Sequence, residues 1–181
     1  NKIYISIRNP DRISGSDYQK YRVTNAIEEL ILLVSREYQV EAIILCNDLR
    51  DLKYAMYLNK RYNTKFEYTP DDVEFVAKLK LAEQVFSFRL HTTIPCFSLG
   101  TKVLNFSYDE RAECLLSDLS LDINSITLTN LKPEDIKNEI LKKLNNQNIM
   151  KPASWKKISQ YQKEKIFEFL VLAEQYQSNG Y

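Results

Sequence analysis

Hydrophobic and polar positions alternate along the chain with two periods, one typical of strands and one typical of helices. In residues 2–8 three isoleucines alternate with polar or aromatic residues, which predicts a strand at the start of the chain. Apolar residues between Val23 and Val34 then recur three and four positions apart, which predicts a helix with one buried face. The mainly apolar segment 40–46 is typical of a strand that is covered on both faces.

The same alternation of strands and helices continues along the chain. Asn47 or Asp48 is expected to cap a second helix that ends at about Tyr62. The remaining predicted elements, in order, are strand 65–68, a helix begun by Thr69 and Pro70, strand 84–88, helix 92–99, strand 102–107, helix 110–119, strand 123–128 and helix 133–144.

Strict alternation of strands and helices predicts an α/β fold, namely a Rossmann-like parallel sheet with helices on both faces. The chain has 181 residues, of which 44% are hydrophobic, so it is long enough to bury a core. We assign residues 1–150 to one Rossmann-like domain. After a polar break at 145–148, the spacing of apolar and aromatic residues predicts one long C-terminal helix within 151–181 that packs back on the fold.

The charge balance and the scarcity of some residue types argue against several classes of protein. There are 25 Lys and Arg residues against 24 Asp and Glu, and a net charge of +1 argues against a nucleic-acid partner. The longest apolar runs are far shorter than the roughly 20 residues that cross a bilayer, so no transmembrane segment is expected. Residues 1–7 are predicted as a strand rather than a signal peptide, and the three cysteines form no C-x-x-C pair. These features favour a cytoplasmic location with reduced thiols.

Scarcity of glycine and histidine also limits the chemistry that the chain can perform. Its three glycines lie too far apart to form a glycine-rich phosphate loop. One histidine cannot build a zinc site of the two-His or three-His kind, so no metal is assigned. A phosphate site in this chain must therefore use side chains and helix ends.

The densest group of reactive side chains follows the fourth predicted strand. Arg89 and the single histidine, His91, lie there beside the start of a predicted helix, whose amide groups and dipole favour an anion. Arg8 lies at the matching end of the first strand, so two guanidinium groups are expected to converge on one anion by forked hydrogen bonds. The fifth strand adds a hydroxyl, two acids and a third cation at the same edge: Ser107, Asp109, Glu110 and Arg111.

Each of these residues also has a structural interpretation. A single histidine at a strand end is more often a capping or packing residue than a catalyst. Arg8 and Arg89 are alternatively partners of acids at the sheet edge, such as Asp109. Asp109 and Glu110 are themselves typical acids of a first helical turn. The residue pattern alone leaves these alternatives open.

Three features between residues 69 and 121 occur in a fixed order. They are a helix begun by Thr69, the triplet Arg89-Leu90-His91 after a hydrophobic strand, and the strand end 106–109, which reads Phe-Ser-Tyr-Asp and is followed by Arg111. In this order they resemble the signature region of the polysaccharide pyruvyl transferase family.

Other segments extend the resemblance to about residues 2–122. The strand and arginine at 5–8 resemble the start of the family's C-terminal half, and residues 45–51 lie where the family often has an acidic loop. Segment 98–102, Ser-Leu-Gly-Thr-Lys, departs from the family pattern because it lacks the usual proline.

The resemblance implies a two-domain, glycosyltransferase-B-like protein in which the ligand lies between two Rossmann-like halves, and this chain matches the C-terminal half. It implies transfer of a pyruvyl group from phosphoenolpyruvate to two sugar hydroxyls, with formation of a ketal and release of phosphate, in exopolysaccharide or capsule biosynthesis. The donor is then phosphoenolpyruvate, the acceptor is a sugar or a lipid-linked glycan, and no cofactor is required. The half without its N-terminal partner domain is expected to be inactive.

The resemblance also implies roles for individual residues. Arg8 and Arg89 bind the phosphate and carboxylate of the donor. His91 acts with Arg89 in catalysis, and it protonates the enol carbon or accepts the proton of a sugar hydroxyl. Asp109 orients His91 or the acceptor, and the further predicted substrate-binding residues are Ser107 and Arg111. Two alternatives remain: a glycosyltransferase of the same fold that uses a nucleotide sugar, and a non-catalytic module that binds an anion or a sugar phosphate.

Overall fold

The part of the chain that the structure describes contains six strands, six α-helices and two short 3-10 helices, Pro10–Arg12 and Asp122–Asn124. The structure is a computed structural model, and it describes residues 2–37, 42–119 and 121–145. The strands are β1 (Ile3–Ser6), β2 (Ala42–Cys46), β3 (Lys65–Tyr68), β4 (Gln84–Ser87), β5 (Val103–Ser107) and β6 (Ser125–Thr127). The helices are α1 (Asp17–Glu37), α2 (Leu49–Tyr62), α3 (Asp72–Leu81), α4 (Leu90–Leu99), α5 (Glu110–Asp118) and α6 (Pro133–Asn145). The long helix predicted within 151–181 lies outside the described residues.

The strands form one sheet in the order β3-β2-β1-β4-β5-β6, and every adjacent pair is parallel. In this register Ile5 of β1 lies between Ile44 of β2 and Phe86 of β4. The chain winds outward from β1 to β3 and then returns to β4 on the other side of β1. Such a reversal opens a crevice at the carboxyl edge of a parallel sheet, where ligands bind. The predicted Rossmann-like α/β fold is confirmed.

Alternate side chains of each strand supply two cores, one on each face of the sheet. On one face α1, α2 and α6 pack against the sheet, with buried residues such as Ile27, Leu58 and Ile140. On the other face α3, α4 and α5 pack through residues that include Phe75 and Phe97. Burial on both faces explains why β1 and β2 are apolar almost throughout. Within the described residues, no helix combines the length and the apolar character that crossing a membrane requires.

Carboxylate caps start the helices α2 and α3. Asp48 caps α2 as predicted, since its side chain accepts a hydrogen bond from the amide of Arg50 at 2.9 Å. The prediction that Thr69 caps α3 is wrong, because the cap is Asp71, which accepts from the amide of Glu74 at 2.8 Å. The amide of Thr69 instead donates to the carbonyl oxygen of Cys46. This bond keeps Thr69 beside β2, three residues before α3 begins at Asp72.

Helix α4 begins at Leu90, two residues earlier than predicted, and Arg89 is its N-cap. The amides of Thr92 and Thr93 both donate to the carbonyl oxygen of Arg89 at 3.0 Å, so the first helical bonds already form there. The helix ends as predicted at Gly100, whose φ of 78° lies in the left-handed region that favours glycine. Because of the earlier start, His91 lies in the first turn of α4 rather than in the loop before it.

Candidate active site

A cavity of about 650 Å³ opens at the carboxyl edge of the sheet, where the winding reverses. Its walls come from the segments that follow β1, β2, β4 and β5, and from two residues of β5 itself. The lining residues are Arg8, Asn47, Asp48, Leu49, Arg50, Phe88, Arg89, Leu90, His91, Asn105, Phe106, Tyr108, Asp109, Arg111 and Ala112. Five of the six residues proposed from the sequence therefore lie at this one cavity.

Arg8 and Arg89 reach the cavity from adjacent strands. Arg8 follows β1 by two residues, and Arg89 follows β4 by two residues. Because β1 and β4 are paired, the two side chains emerge side by side. They are only 19% and 10% exposed, respectively, so their charges lie partly out of water. The expected convergence of two arginines at the sheet edge is therefore observed.

Both arginines have acidic neighbours in the segment after β2. Arg89 donates to Asp51 at 2.9 Å and to Asp48 at 2.8 Å through its two terminal nitrogens. Arg8 lies farther from the same carboxylates, with N···O distances of 3.8 Å to Asp48 and 3.9 Å to Asp51. The salt-bridge alternative is thus correct for Arg89, but its partners are Asp48 and Asp51 rather than Asp109.

Asp48 stays ionised because it is surrounded by guanidinium groups. Hydrogen bonds from the Arg50 side chain, and then from Arg89, hold the pKa of Asp48 well below its usual range. Arg50 binds both carboxylate oxygens of Asp48, at 3.0 Å and 3.1 Å from Nε and 2.7 Å from Nη2. Asp48 therefore belongs to the site as an anion that is hydrogen-bonded to two arginines, Arg50 and Arg89, with Arg8 as a third cation at 3.8 Å.

His91 lies on the exposed side of the first turn of α4 and lines the cavity. The N-cap residue Arg89 makes no side-chain cap bond. The amides of Leu90 and His91 precede the first helical hydrogen bonds, so they are the orphan donors of this helix. Backbone donors, a helix dipole and the imidazole therefore meet at the same wall of the cavity.

Asp109 and Arg111 lie at the rim of the cavity, on the side of β5. One oxygen of Asp109 accepts from the amide of Ala112 at 3.0 Å, so Asp109 is the N-cap of α5. It lies one position before the first helical turn, in which the structural interpretation places it, and Glu110 is in that turn. The other oxygen of Asp109 accepts from Arg111 at 2.8 Å. Since Arg111 is 85% exposed, this ion pair is open to solvent and free to rearrange.

Ser107 is the one proposed residue that the structure does not bring to the cavity. Its side chain is fully buried, and its hydroxyl forms hydrogen bonds with Ser125 at 3.0 Å and Asn105 at 2.8 Å. The next residue, Tyr108, lines the cavity instead. Burial raises the pKa of the Tyr108 phenol, while the positive charge of Arg8 opposes the rise.

Sequence reasoning did not assign Asn47, Arg50, Asp51 or Tyr108 to the site. A signal existed for the first three, because they lie at or within 45–51, the segment that resembles an acidic loop of the family. In the part of the chain that the structure describes, no group of three or more His, Cys, Asp and Glu side chains is arranged to hold a metal ion.

Comparison with known proteins identifies both the family and the fold. No curated protein sequence matches the chain. The solved structure of WaaG, a glycosyltransferase involved in lipopolysaccharide biosynthesis, is similar to 86% of the chain with a TM-score of 0.50 and 16% sequence identity. The chain spans 40% of the length of that structure, and the similarity supports a glycosyltransferase-B-like fold. The family Polysaccharide pyruvyl transferase matches residues 1–110. The chain with the Arg8, Arg89 and His91 cavity therefore belongs to the polysaccharide pyruvyl transferase family.

Proposed function

We propose that this chain supplies the donor-binding half of an enzyme that transfers a pyruvyl group from phosphoenolpyruvate to a sugar during polysaccharide biosynthesis. One observation carries the proposal. Two arginines from adjacent strands and the single histidine, at an uncapped helix N-terminus, line the same cavity. Membership of the polysaccharide pyruvyl transferase family supports the interpretation of this cavity as a donor site.

The charge of the cavity favours a donor that carries more than one negative charge. Four arginines line it, against the lining carboxylates Asp48 and Asp109. Counting the adjacent Asp51, the group keeps one net positive charge and the orphan amides of α4. Phosphoenolpyruvate has a phosphate and a carboxylate, and both groups match forked guanidinium donors. We assign Arg8 and Arg89 to these two anionic groups.

The reaction removes one proton from each of two sugar hydroxyls and adds one proton to C3 of phosphoenolpyruvate. A first sugar hydroxyl adds to C2 of the enol group, and a proton is added to C3, which becomes the methyl group. A second hydroxyl then attacks C2 while the bond from C2 to the phosphate oxygen breaks. The proton of this hydroxyl leaves with the phosphate as hydrogen phosphate, and the ketal is complete. Imidazole can donate and accept protons near neutral pH, so His91 protonates C3 or takes the proton of a sugar hydroxyl. Arg89 stabilises the leaving phosphate.

The acceptor sugar or lipid-linked glycan occupies the outer part of the cavity. Its volume of about 650 Å³ lies within the usual range for small-molecule sites. Asp109 and Arg111 form an exposed, rearrangeable pair at the rim and are the proposed contacts to sugar hydroxyls. Ser107 has no part in this proposal because its hydroxyl is buried among Ser125 and Asn105.

The proposal is tested with the full-length protein by measuring phosphate release from phosphoenolpyruvate with and without sugar acceptors. The variants Arg89→Ala and His91→Ala are expected to lose about 100-fold or more of the activity. Arg61→Lys is the matched control, since Arg61 is an exposed arginine at the other end of α2, about 18 Å along the helix axis from Leu49. Activity equal to wild type in both cavity variants would contradict the assignment.

The glycosyltransferase alternative has one observation in its favour, the fold shared with WaaG. Competition between the two donor substrates distinguishes a pyruvyl transferase from a glycosyltransferase. Binding of a uridine diphosphate sugar without binding of phosphoenolpyruvate would favour a glycosyltransferase. Stabilisation by phosphoenolpyruvate without any product from the complete protein would favour the non-catalytic module.

A further inference from the structure

Asp51 is the most buried charged group beside the cavity. Its side chain is only 1% exposed, although it lies in the first turn of α2 and next to a cavity that is open to solvent. The burial of an unpaired carboxylate is costly, so its partners must compensate for the lost hydration. These partners show what the residue does.

Three contacts of Asp51 join its own segment, after β2, to two other segments of the carboxyl edge. One oxygen accepts from the amide of Asn9 at 2.9 Å, in the segment after β1. The other accepts from Arg89 at 2.9 Å, in the segment after β4. Arg8 lies 3.9 Å from the first oxygen. Asp51 thus ties the loop that carries Arg8 to the guanidinium of Arg89.

Asp48 makes a useful comparison, because it also binds Arg89 but in a different setting. It is 18% exposed, and the solvent-facing Arg50 shares its carboxylate. Loss of the Asp48 charge would leave the bond from Arg89 to Asp51 in place. Loss of the Asp51 charge would free one terminal nitrogen of Arg89 and leave the other on Asp48.

We propose that Asp51 is a positioning residue that holds Arg89, and with it the loop of Arg8, in the geometry that binds the donor anion. This inference rests on the proposed function for the identity of the anion as phosphoenolpyruvate. Asp51 does not contact the donor. It acts through Arg89, which lines the cavity and has five N–H donors, of which the bonds to Asp51 and Asp48 use two.

The variant Asp51→Asn separates this role from a general contribution to folding. Asparagine has nearly the same shape, and its oxygen still accepts from the amide of Asn9. Its amide group then faces a donor of Arg89, so the bond to Arg89 and the charge attraction to Arg8 are lost, while the bond from the amide of Asn9 is kept. The expected result is a fall of about tenfold or more in the affinity of the full-length protein for phosphoenolpyruvate, measured by titration calorimetry.

A double-mutant cycle supplies the decisive comparison. If Asp51 acts through Arg89, Asp51→Asn weakens binding in the wild type but changes affinity little in the Arg89→Ala background. Glu74→Gln is the control, because it removes an exposed carboxylate that is paired with Lys78 on α3 and should leave affinity unchanged. Equal losses in both backgrounds, or no loss in the wild type, would overturn the proposal.

A second measurement keeps this inference distinct from the proposed function. In nitrogen-15 NMR spectra of arginine side chains, Arg89 should exchange its guanidinium protons slowly in the wild type and faster in Asp51→Asn. If the wild type does not bind phosphoenolpyruvate, the proposed function fails, and these spectra still decide the role of Asp51. Unchanged exchange at Arg89 in the variant would refute it.

Discussion

Replacement of Thr93 by valine tests how the start of α4 is anchored. The hydroxyl of Thr93 is fully buried and lies 3.1 Å from the carbonyl oxygen of Arg89 and 2.8 Å from the side-chain oxygen of Asn105. Valine has the same branched shape, so the change leaves no cavity. It removes the donor to the amide oxygen of Asn105, which is itself only 1% exposed.

The expected loss of stability follows from that orphaned oxygen. A buried polar atom left without its hydrogen bond costs about 1–3 kcal/mol. For a chain of this size each kcal/mol corresponds to about 2–4 °C, so a loss of 2 kcal/mol lowers Tm by about 4–8 °C. Thr93→Ser is the matched control, since it keeps the hydroxyl and loses one methyl group, at about 1 kcal/mol.

Urea unfolding of the three proteins provides the measurement. The urea concentration at the midpoint of unfolding should be highest for the wild type, lower for the serine variant and lowest for the valine variant. The slope of the unfolding free energy against urea concentration should be the same for all three. A valine variant at least as stable as the serine variant would refute the view that the hydroxyl of Thr93 is what anchors the helix start.

Three further predictions concern acid stability, thiol reactivity and a helix end. Because the folded pKa of Asp48 is lower than the unfolded value of about 3.9, its contribution to stability is complete above that pH and is lost as the pH falls, so Asp48→Asn should destabilise the protein at pH 7 and have a smaller effect near pH 2. The measurement is the free energy of unfolding of wild type and variant in urea at each pH. An equal loss of this free energy at pH 7 and near pH 2 would contradict the prediction. Burial raises the pKa of the Cys46 thiol to about 11 and that of Cys96 to about 12, so a thiol reagent at pH 8 should label the exposed Cys114 first, as mass spectrometry will show. Gly100→Ala should destabilise the protein by about 1 kcal/mol in thermal unfolding, because φ is 78° there, and an unchanged Tm would count against it.

The order of strands and helices could be predicted because both cores impose a period on the sequence. Each strand and α-helix of the described part has its predicted counterpart, whereas the 3-10 helices Pro10–Arg12 and Asp122–Asn124 were not predicted. The second of these overlaps the start of the predicted strand 123–128, so β6 begins later, at Ser125. The sequence does not define the first residue of a helix where two residues that can cap it lie close together. Thr69 and Asp71 are both good caps, and in the structure Asp71 caps α3 while the amide of Thr69 donates to the carbonyl oxygen of Cys46.

The site was predictable as far as it depends on strand ends. Arg8 and Arg89 meet because a parallel sheet gathers its carboxyl ends, which the alternation already implied. The ion pair between Arg89 and Asp51 was not predictable, since it joins residues 38 positions apart and depends on the strand order. The burial of Ser107 depends on its neighbour Ser125 in β6, so the sequence near Ser107 carries no sign of it.

The central position of β1 has a consequence for how the chain folds. Ile5 pairs with Ile44, which follows it by 39 residues, and with Phe86, which follows it by 81. Such distant pairings require closure of long loops, and they slow folding relative to that of locally connected proteins. During synthesis from the N-terminus, the arginine after β1 therefore emerges long before the histidine of α4. One edge of β1 stays unpaired until β4 has been made, and this interval is when the nascent chain is most exposed to mispairing with another strand.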